Sequence, residues 1–172
     1  APSQSARATL ETFGDVAWLA PDGVDDWYAP AIAFPLTTQW SHIGAWQVDT
    51  AGGRLFSQSD VSGTGFRSSA TGYGLNDNGG GDIIAGMDTS VPHALSINRL
   101  SDAAADGWLN GAVNTTGIDP NDNIGVDGLA LFSRQNDQYT AGLHGRFFGG
   151  IFIGGENISE IVRVAMQAFA DE

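Results

Sequence analysis

Three carboxylates lie close together in segment 20–28, which contains Ala-Pro-Asp-Gly-Val-Asp-Asp-Trp-Tyr. Carboxylates of this kind suit a hard cation, and the adjoining Trp27 and Tyr28 suit stacking against a sugar. The Asp22-Gly23 pair is also a strong turn signal between two strand-like stretches, 16–19 and 26–29. The segment is therefore a metal loop, a ligand rim or a structural corner, and the sequence favours the corner.

Residues suited to catalysis are few. The sequence has no cysteine and no Gly-x-Ser-x-Gly motif, so two common nucleophile arrangements are absent. His42, His93 and His144 stand singly on strand-like runs, where a hydrogen-bonded structural histidine is the favoured interpretation. Asp22 with Asp25 or Asp26 is a conceivable carboxylate pair for glycan cleavage. We therefore expect a protein that is not an enzyme, with a glycan-cleaving enzyme as an alternative.

Loop 119–127 is a better candidate for a calcium site than segment 20–28. Its oxygen ligands fall at the first, third, fifth and ninth positions of an EF-hand loop: Asp119, Asn121, Asn123 and Asp127. Ile124 replaces the glycine that an EF-hand needs at its sixth position, and Ala130 stands where a bidentate glutamate is required. An Asx-rich turn is thus favoured over a calcium site, and no cofactor is required.

Glycan binding needs exposed aromatic rings beside planar polar groups, because a sugar stacks its apolar face on a ring and spends its hydroxyls on amides, carboxylates and guanidinium groups. The candidates on expected loops or strand ends are Trp27, Tyr28, Tyr73, Asn76, Asp77, Arg134, Asn136 and Tyr139. Other aromatic residues are expected in the core: Trp40, Trp46, Trp108, Phe147 and Phe152.

The charge balance excludes some partners. Twenty acidic residues against seven basic ones give a formal net charge of −13. Such a surface repels phosphate backbones and anionic membranes, so we expect no nucleic acid partner and no membrane insertion. At 172 residues the chain fits one domain, which we place at residues 8–172 after a linker or disordered start at 1–7.

The elements that must position these residues are mostly short strands. About eleven strand-like runs separated by turn signals predict an all-β, antiparallel two-sheet jelly-roll sandwich. The clearest turn is Asn110-Gly111, a two-residue type I′ hairpin. A second hairpin is expected where loop 49–53 joins runs 39–48 and 54–59. Only the tail, 161–169, has helical spacing, which predicts a short C-terminal helix.

Three of these stretches, in this order, resemble a known family. They are Pro21–Trp27, the Trp108–Val113 hairpin and the glycine- and phenylalanine-rich strand Gly145–Ile153 followed by an amphipathic helix. Together, over about residues 8–170, they are similar to the concanavalin A-like (laminin-G-like) jelly roll, in the version found in phage tail-fibre, tail and capsid-surface proteins. The resemblance implies two stacked sheets, with a curved face and loop ends that bind glycans or hold calcium in many relatives.

The expected function is therefore that of a non-enzymatic module on the outside of a virus particle, which attaches to host surface glycans. Single sites of this kind bind weakly, so several copies are expected to act together. The first alternative is a purely structural decoration or fibre domain that binds other virion proteins. The second, a glycan-cleaving enzyme, lacks the Glu-x-Asp-x-x-Glu arrangement of the glucanases that share the fold.

Overall fold

The computed structural model describes residues 7–24, 26, 28, 39–57, 64–76, 82–101, 103–118, 130–132, 142–154, 164 and 168. Within these ranges the chain forms β1 (Thr9–Phe13), β2 (Val16–Ala20), β3 (Trp40–Val48), β4 (Arg54–Ser57), β5 (Thr64–Ser68), β6 (Gly72–Asn76), β7 (Asp82–Ala85), β8 (His93–Ser101), β9 (Ala104–Leu109), β10 (Ala112–Ile118), β11 (Ala130–Leu131) and β12 (Gly145–Gly154).

The strands form two antiparallel sheets. One has seven strands in the order β1-β2-β12-β3-β8-β9-β10, and the other has five in the order β11-β4-β5-β6-β7. The described part of the chain is thus an antiparallel two-sheet sandwich, as the sequence predicts. Chain order is not sheet order, because β12 inserts between β2 and β3 and brings residues from both ends of the chain side by side.

The core lies between the sheets. In β3 the side chains of Trp40, Trp46 and Val48 point inward and are at most 2 % exposed, as the alternation of side chains along a strand requires. Phe147 and Phe152 pack against the same cluster from β12. The expected core position of these aromatic residues is confirmed; Trp108 is also buried, at 5 % exposed, but it is not part of the cluster between the sheets.

A buried histidine joins this aromatic core. Trp46 Nε1 donates to His42 Nε2 at 3.1 Å, and the His42 ring stacks on Phe152 with centroids 4.1 Å apart. Gly44 lies between the two on the same face of β3. A Cβ at Gly44 would stand 2.7 Å from Trp46 Nε1 and 2.8 Å from His42 Cε1, so glycine leaves room for this hydrogen bond.

Two tight hairpins have the conformations that their residues favour. Asn110 and Gly111 have φ of 49° and 78°, both positive, as the expected type I′ turn between β9 and β10 requires. Gly14 has a φ of 61° at the first turn position between Phe13 and Val16, where a type II′ turn takes glycine. The prediction of a hairpin at Asn110-Gly111 is confirmed.

The second expected hairpin, at loop 49–53, is wrong. β3 belongs to the seven-stranded sheet and β4 to the five-stranded sheet, so the loop crosses from one sheet to the other. Its backbone bonds are to distant segments: Asp49 N donates to the carbonyl of His144 at 2.9 Å, and Gly52 N donates to the carbonyl of Ser68 at 3.1 Å. The turn predicted at this loop was correct. The strand that pairs with β4, however, depends on contacts with distant parts of the chain and not on the local sequence.

One edge of the sandwich is closed by a side chain. Asn114 of β10 accepts a hydrogen bond from Ala85 N at 2.7 Å and donates one to Ala85 O at 3.0 Å. The side-chain amide of Asn114 thus pairs with β7 of the other sheet in the way that a backbone peptide group would. The edge strands β10 and β7 are tied together through this residue.

The expected C-terminal helix, 161–169, falls outside the described residues apart from Val164 and Ala168, so it stays a prediction. The expected linker also lies almost wholly outside them, with only Arg7 described. Among the described residues, no helix has the length and apolar character needed to cross a membrane.

Candidate functional site

The opening acidic segment is a structural corner in its described part. Asp22 Oδ1 accepts from Val24 N at 2.8 Å, and Asp26 Oδ2, 3 % exposed, accepts from Asp22 N at 2.7 Å. Gly23 has a φ of 79°, and a Cβ there would stand 2.9 Å from Cβ of His144. These two carboxylates therefore hold the turn.

Most of the glycan and calcium candidates lie outside the described residues. These are Trp27, Asp77, Arg134, Asn136 and Tyr139, and the calcium ligands Asp119, Asn121, Asn123 and Asp127. Asn76 lies in β6, but its side chain is outside the described part. Tyr28 is 54 % exposed and forms an isolated backbone bridge to Leu131. Among the described residues, no group of three acidic, histidine or cysteine side chains is placed to hold a metal.

Tyr73 is a correction. It was expected to expose its ring to a sugar, but it is 0 % exposed and stacks on Phe66 with centroids 5.9 Å apart. Burial, reinforced by the negative charge of Asp88, raises the pKa of the Tyr73 hydroxyl. Tyr73 was expected at a loop or strand end, whereas it lies in β6 of the five-stranded sheet with its side chain pointing inward.

The structure instead brings three side chains together on the outer face of the seven-stranded sheet. Phe147 packs inward against Trp46 with centroids 4.1 Å apart, so its neighbours Arg146 and Phe148 face outward by strand alternation. A bulge between Phe147 and Gly149 ends the regular register with β3 at this point. From β2, Trp18 joins the same face, 5.9 Å from the ring of Phe148.

Arg146 is held in place from two sides. Its Nη1 donates to Gln47 Oε1 at 3.0 Å, and its Cζ lies 5.4 Å from the centroid of the Trp18 ring. The amide nitrogen of Gln47 donates in turn to Asp49 Oδ1 and to the carbonyl of Thr89, each at 3.3 Å. Gln47 is only 7 % exposed, so its oxygen is fixed toward the guanidinium group.

No carboxylate in the described part of the chain pairs with Arg146. The two residues that hold Arg146 each bond to a carboxylate of their own: Trp18 Nε1 donates to Glu11 Oε2 at 3.1 Å, and the Gln47 amide donates to Asp49 Oδ1. A guanidinium group without an acid partner is unusual on a chain with a net charge of −13. It supplies a localised positive charge with free N–H donors on an acidic molecule.

These residues form the floor of a groove of about 520 Å³. We call it the Trp18–Arg146 groove, and its lining is Phe13, Val16, Trp18, Gln47, Ser90, Pro92, Arg146 and Phe148. Phe13, 82 % exposed, stands at one rim. At the other rim, the amide and hydroxyl of Ser90 donate to Asp88 Oδ1, which lowers the pKa of Asp88 and fixes the turn.

A second cleft, of about 470 Å³, lies where the loops at Asp22, Thr50 and His144 meet. His144 is exposed there, with Nδ1 3.5 Å from Thr50 Oγ1. The other two histidines are buried and hydrogen-bonded, as expected: His42 to Trp46 and His93 to the backbone of Asp88. Among the residues that the structure describes, no phenylalanine, tyrosine or tryptophan lines this cleft, so the Trp18–Arg146 groove is the better candidate for a sugar.

Sequence reasoning missed this groove. Trp18 was assigned to a strand but not to a site, and Arg146 was only part of a motif. The sequence did contain one signal for it: side chains alternate between the two faces of a strand, which puts Arg146 and Phe148 on the face opposite Phe147. The missing information was the pairing of β2 with β12, which are far apart in the chain.

No protein-family model matches the chain, and no curated protein matches it in sequence. Its fold is similar to that of the Ruminococcus gnavus IT-sialidase CBM40 bound to α2,3-sialyllactose, with a TM-score of 0.52, 11 % identity, and coverage of 78 % of this chain and 84 % of that one. It is also similar to Trypanosoma rangeli sialidase, with TM-scores of 0.62 and 0.60 in two structures, 7 % identity, and coverage of 96 % of this chain.

The chain spans only 29 % of the length of the sialidase. At these identities the likeness shows the fold alone, which is a two-sheet β-sandwich consistent with the expected jelly-roll, lectin-like architecture.

Proposed function

We propose that this domain is a non-enzymatic carbohydrate-binding module whose ligand is an acidic sugar held at the Trp18–Arg146 groove. The observation that carries the proposal is Arg146, a positioned guanidinium group with no carboxylate partner in the described part of the chain. A guanidinium group binds a carboxylate through two parallel N–H donors, which gives direction as well as charge.

The aromatic lining supports a sugar as the body of the ligand. Phe13 and Phe148 offer apolar ring surface in the same groove as Arg146, and the C–H face of a pyranose packs on such rings. Ser90 and Gln47 add polar groups at the rim and floor. The fold is also similar to that of a domain whose structure holds α2,3-sialyllactose.

The test is a titration of the protein with 3′-sialyllactose and with lactose, which lacks the sialic acid residue and with it the carboxylate. At about 0.15 M salt, where the distant negative charges are screened, we expect sialyllactose to bind at least about tenfold more tightly, because a hydrogen bond to a charged group contributes about 1.5–3 kcal/mol. Arg146→Gln should remove that difference, and Trp18→Ala should weaken both sugars. Arg67→Gln, which makes the same charge change on the five-stranded sheet, is the matched control and should change neither affinity.

Two outcomes are distinguishable. If lactose and sialyllactose bind equally and Arg146→Gln changes nothing, the acidic ligand is wrong while sugar binding stands. If neither sugar binds and a glycan array with and without EDTA is blank, carbohydrate binding itself is wrong. The EDTA arm also tests calcium at the loop 119–127, and release of reducing sugar from a host polysaccharide would contradict a non-enzymatic role.

Display on a virion surface is the finer part of the proposal, and it rests on the resemblance of the sequence to phage virion proteins. There the module would attach the particle to host glycans in several copies. Mass spectrometry of purified particles from the source, with antibody labelling of their surface, tests it. A chain absent from particles would contradict this setting without touching the sugar site.

A structural role is the second candidate. The observation that favours it is the exposed apolar hairpin of β1 and β2, where Leu10 is 67 %, Phe13 82 % and Val16 50 % exposed. Contact with other virion proteins would cover these side chains. Pull-down of particle proteins that is lost in Leu10→Ser, with sugar affinity unchanged, would support this role.

A further inference from the structure

The hydrogen bonds of the Trp18–Arg146 groove show which of its polar groups can still bind a ligand. Trp18 has a single N–H donor, and Glu11 accepts from it at 3.1 Å. Gln47 donates both of its amide N–H groups to oxygen atoms of the protein, and its own oxygen accepts from Arg146. Neither Trp18 nor Gln47 therefore has a side-chain donor left for a sugar, whereas the guanidinium group of Arg146 has several.

Ser90 supplies the acceptor of the groove. Its backbone N–H and its hydroxyl group both donate to Asp88 Oδ1, at 2.8 and 2.6 Å. These bonds lower the pKa of the Asp88 carboxyl, so at neutral pH that group is ionised and can only accept. The proton of the Ser90 hydroxyl is thus committed, while the lone pairs of its oxygen can accept from a ligand. A hydroxyl group that already donates to a charged group is the stronger acceptor for it.

The rest of the lining is apolar. Phe13, Val16, Pro92 and Phe148 have no polar atom in their side chains, and we call these four side chains the apolar wall. Pro92, two residues after Ser90, has no backbone N–H either. A hydroxyl group placed against such side chains loses its bonds to water and gains none. The groove therefore suits a ligand that brings an anion, a hydrogen-bond donor and an apolar group.

We propose that the acidic sugar of this groove is N-acylated, with its carboxylate on Arg146, its amide N–H donating to Ser90 Oγ, and its acyl methyl group on the apolar wall beside Pro92. The inference rests on the proposed function, because it takes Arg146 as the group that holds the acid. A plain uronic acid has a hydroxyl group where this ligand has an acylamino group, and would set that hydroxyl against the apolar wall.

One sugar residue can span the two polar contacts. The amide group of Gln47 bonds through its oxygen to Arg146 and through its nitrogen to the carbonyl of Thr89. Thr89 is next to Ser90 in the chain. The positive charge and the acceptor therefore lie on either side of a single amide group, which is a separation that the substituents of one pyranose ring can bridge.

The first test compares two monosaccharides that share the carboxylate: the methyl α-glycoside of N-acetylneuraminic acid and the analogue in which a hydroxyl group replaces the acetamido group. Titration followed by NMR chemical shifts at about 0.15 M salt, where distant charges are screened, suits weak binding of this kind. We expect the N-acetyl sugar to bind at least about fourfold more tightly, which is the effect of burying roughly one methyl group.

The second test changes the acceptor. Ser90→Ala should weaken binding of the N-acetyl sugar about three- to tenfold, the effect of one neutral hydrogen bond. Ser90→Thr keeps a hydroxyl group at this position and should bind as the natural protein does. Urea unfolding of both variants shows whether either change has disturbed the turn at Asp88.

The outcomes separate this inference from the proposed function. Equal affinities for the two monosaccharides overturn the inference, and so does a Ser90→Ala variant that binds like the natural protein, while an acidic ligand at Arg146 stands in both cases. If neither monosaccharide binds, or if Arg146→Gln leaves both affinities unchanged, the proposed function itself is wrong and the inference fails with it.

Discussion

At the scale of single residues, His42 shows how a polar ring is accommodated in an aromatic core. An indole N–H can only donate, so the bond from Trp46 Nε1 makes His42 Nε2 an acceptor. The ring proton is then on Nδ1, which lies 3.2 Å from the carbonyl oxygen of Ile151 and donates to it. Both ring nitrogens are satisfied by the neutral form, and a second proton has no place.

This arrangement predicts a loss of stability in acid. Burial lowers the pKa of His42 from 6.5 to about 3. The stabilisation is complete above pH 6.5 and is lost as the pH falls toward the folded-state value, since the unfolded chain then binds the extra proton. Between pH 6.5 and 5 the loss from this residue is about 2 kcal/mol.

Urea unfolding of the natural protein and of His42→Gln at pH 7 and pH 5 measures this loss of stability. Glutamine offers a neutral acceptor and donor in place of the two ring nitrogens, so its contribution does not titrate. The natural protein should be the more stable at pH 7, and its advantage should shrink by about 2 kcal/mol at pH 5. An advantage that stays constant with pH would show that His42 takes up its proton in the folded state.

At the scale of elements, the hairpin of β9 and β10 carries a bond that the turn type alone does not require. Asn110 Oδ1 accepts from Ala94 N at 2.9 Å, and Asn110 N donates to Ala94 O at 2.8 Å. The turn residue thus holds the beginning of β8, which is a neighbour of β9 in the sheet.

Asn110→Ala should therefore cost about 2–3 kcal/mol, from a side chain at positive φ and from the loss of the Ala94 bond. Asn110→Asp keeps the oxygen acceptor and tolerates the left-handed conformation, so it should cost well under half as much. Thermal or urea unfolding of the two variants measures the difference. Equal losses would mean that the oxygen contributes little and that backbone strain is the whole effect.

The same elements show how far the sequence alone could go. The Asn110-Gly111 hairpin and the all-β, two-sheet antiparallel architecture depend on local turn chemistry and alternation, and both are confirmed in the described residues. The partner of β4 depends on contacts far away in the chain, so loop 49–53 was assigned to a hairpin that does not exist. The groove depends on β2 meeting β12, and for that reason neither Trp18 nor Arg146 was recognised as a site residue.

At the scale of the whole molecule, the charge of the chain opposes the ligand that we propose. Without the positive charge of Arg146 the net −13 becomes −14. If these −14 charges are placed in water at roughly 20 Å from the groove, they repel a bound carboxylate by about 3 kcal/mol. Arg146, at about 4 Å, attracts the same carboxylate by about 1 kcal/mol. Steering by the distant charges is therefore unfavourable at low ionic strength.

Salt should consequently strengthen the binding of sialyllactose. The Debye length falls from about 30 Å at 0.01 M to about 8 Å at 0.15 M, which screens the distant charges far more than the contact with Arg146. Calorimetric titration at these two concentrations should give a several-fold higher affinity at the higher one, with the affinity for lactose unchanged. A steep fall with salt would mean that local attraction dominates the whole range.

The tie between the sheets at Asn114 also affects how the protein can be modified. Asn114 is followed by Thr115 and Thr116 and so forms an acceptor sequence for N-linked glycosylation. In the folded protein its amide oxygen and nitrogen are both bonded to the backbone of Ala85. A secretory pathway that glycosylates chains as they emerge would reach Asn114 before β10 and β7 meet, and a sugar on that nitrogen would hold the two sheets apart at this edge.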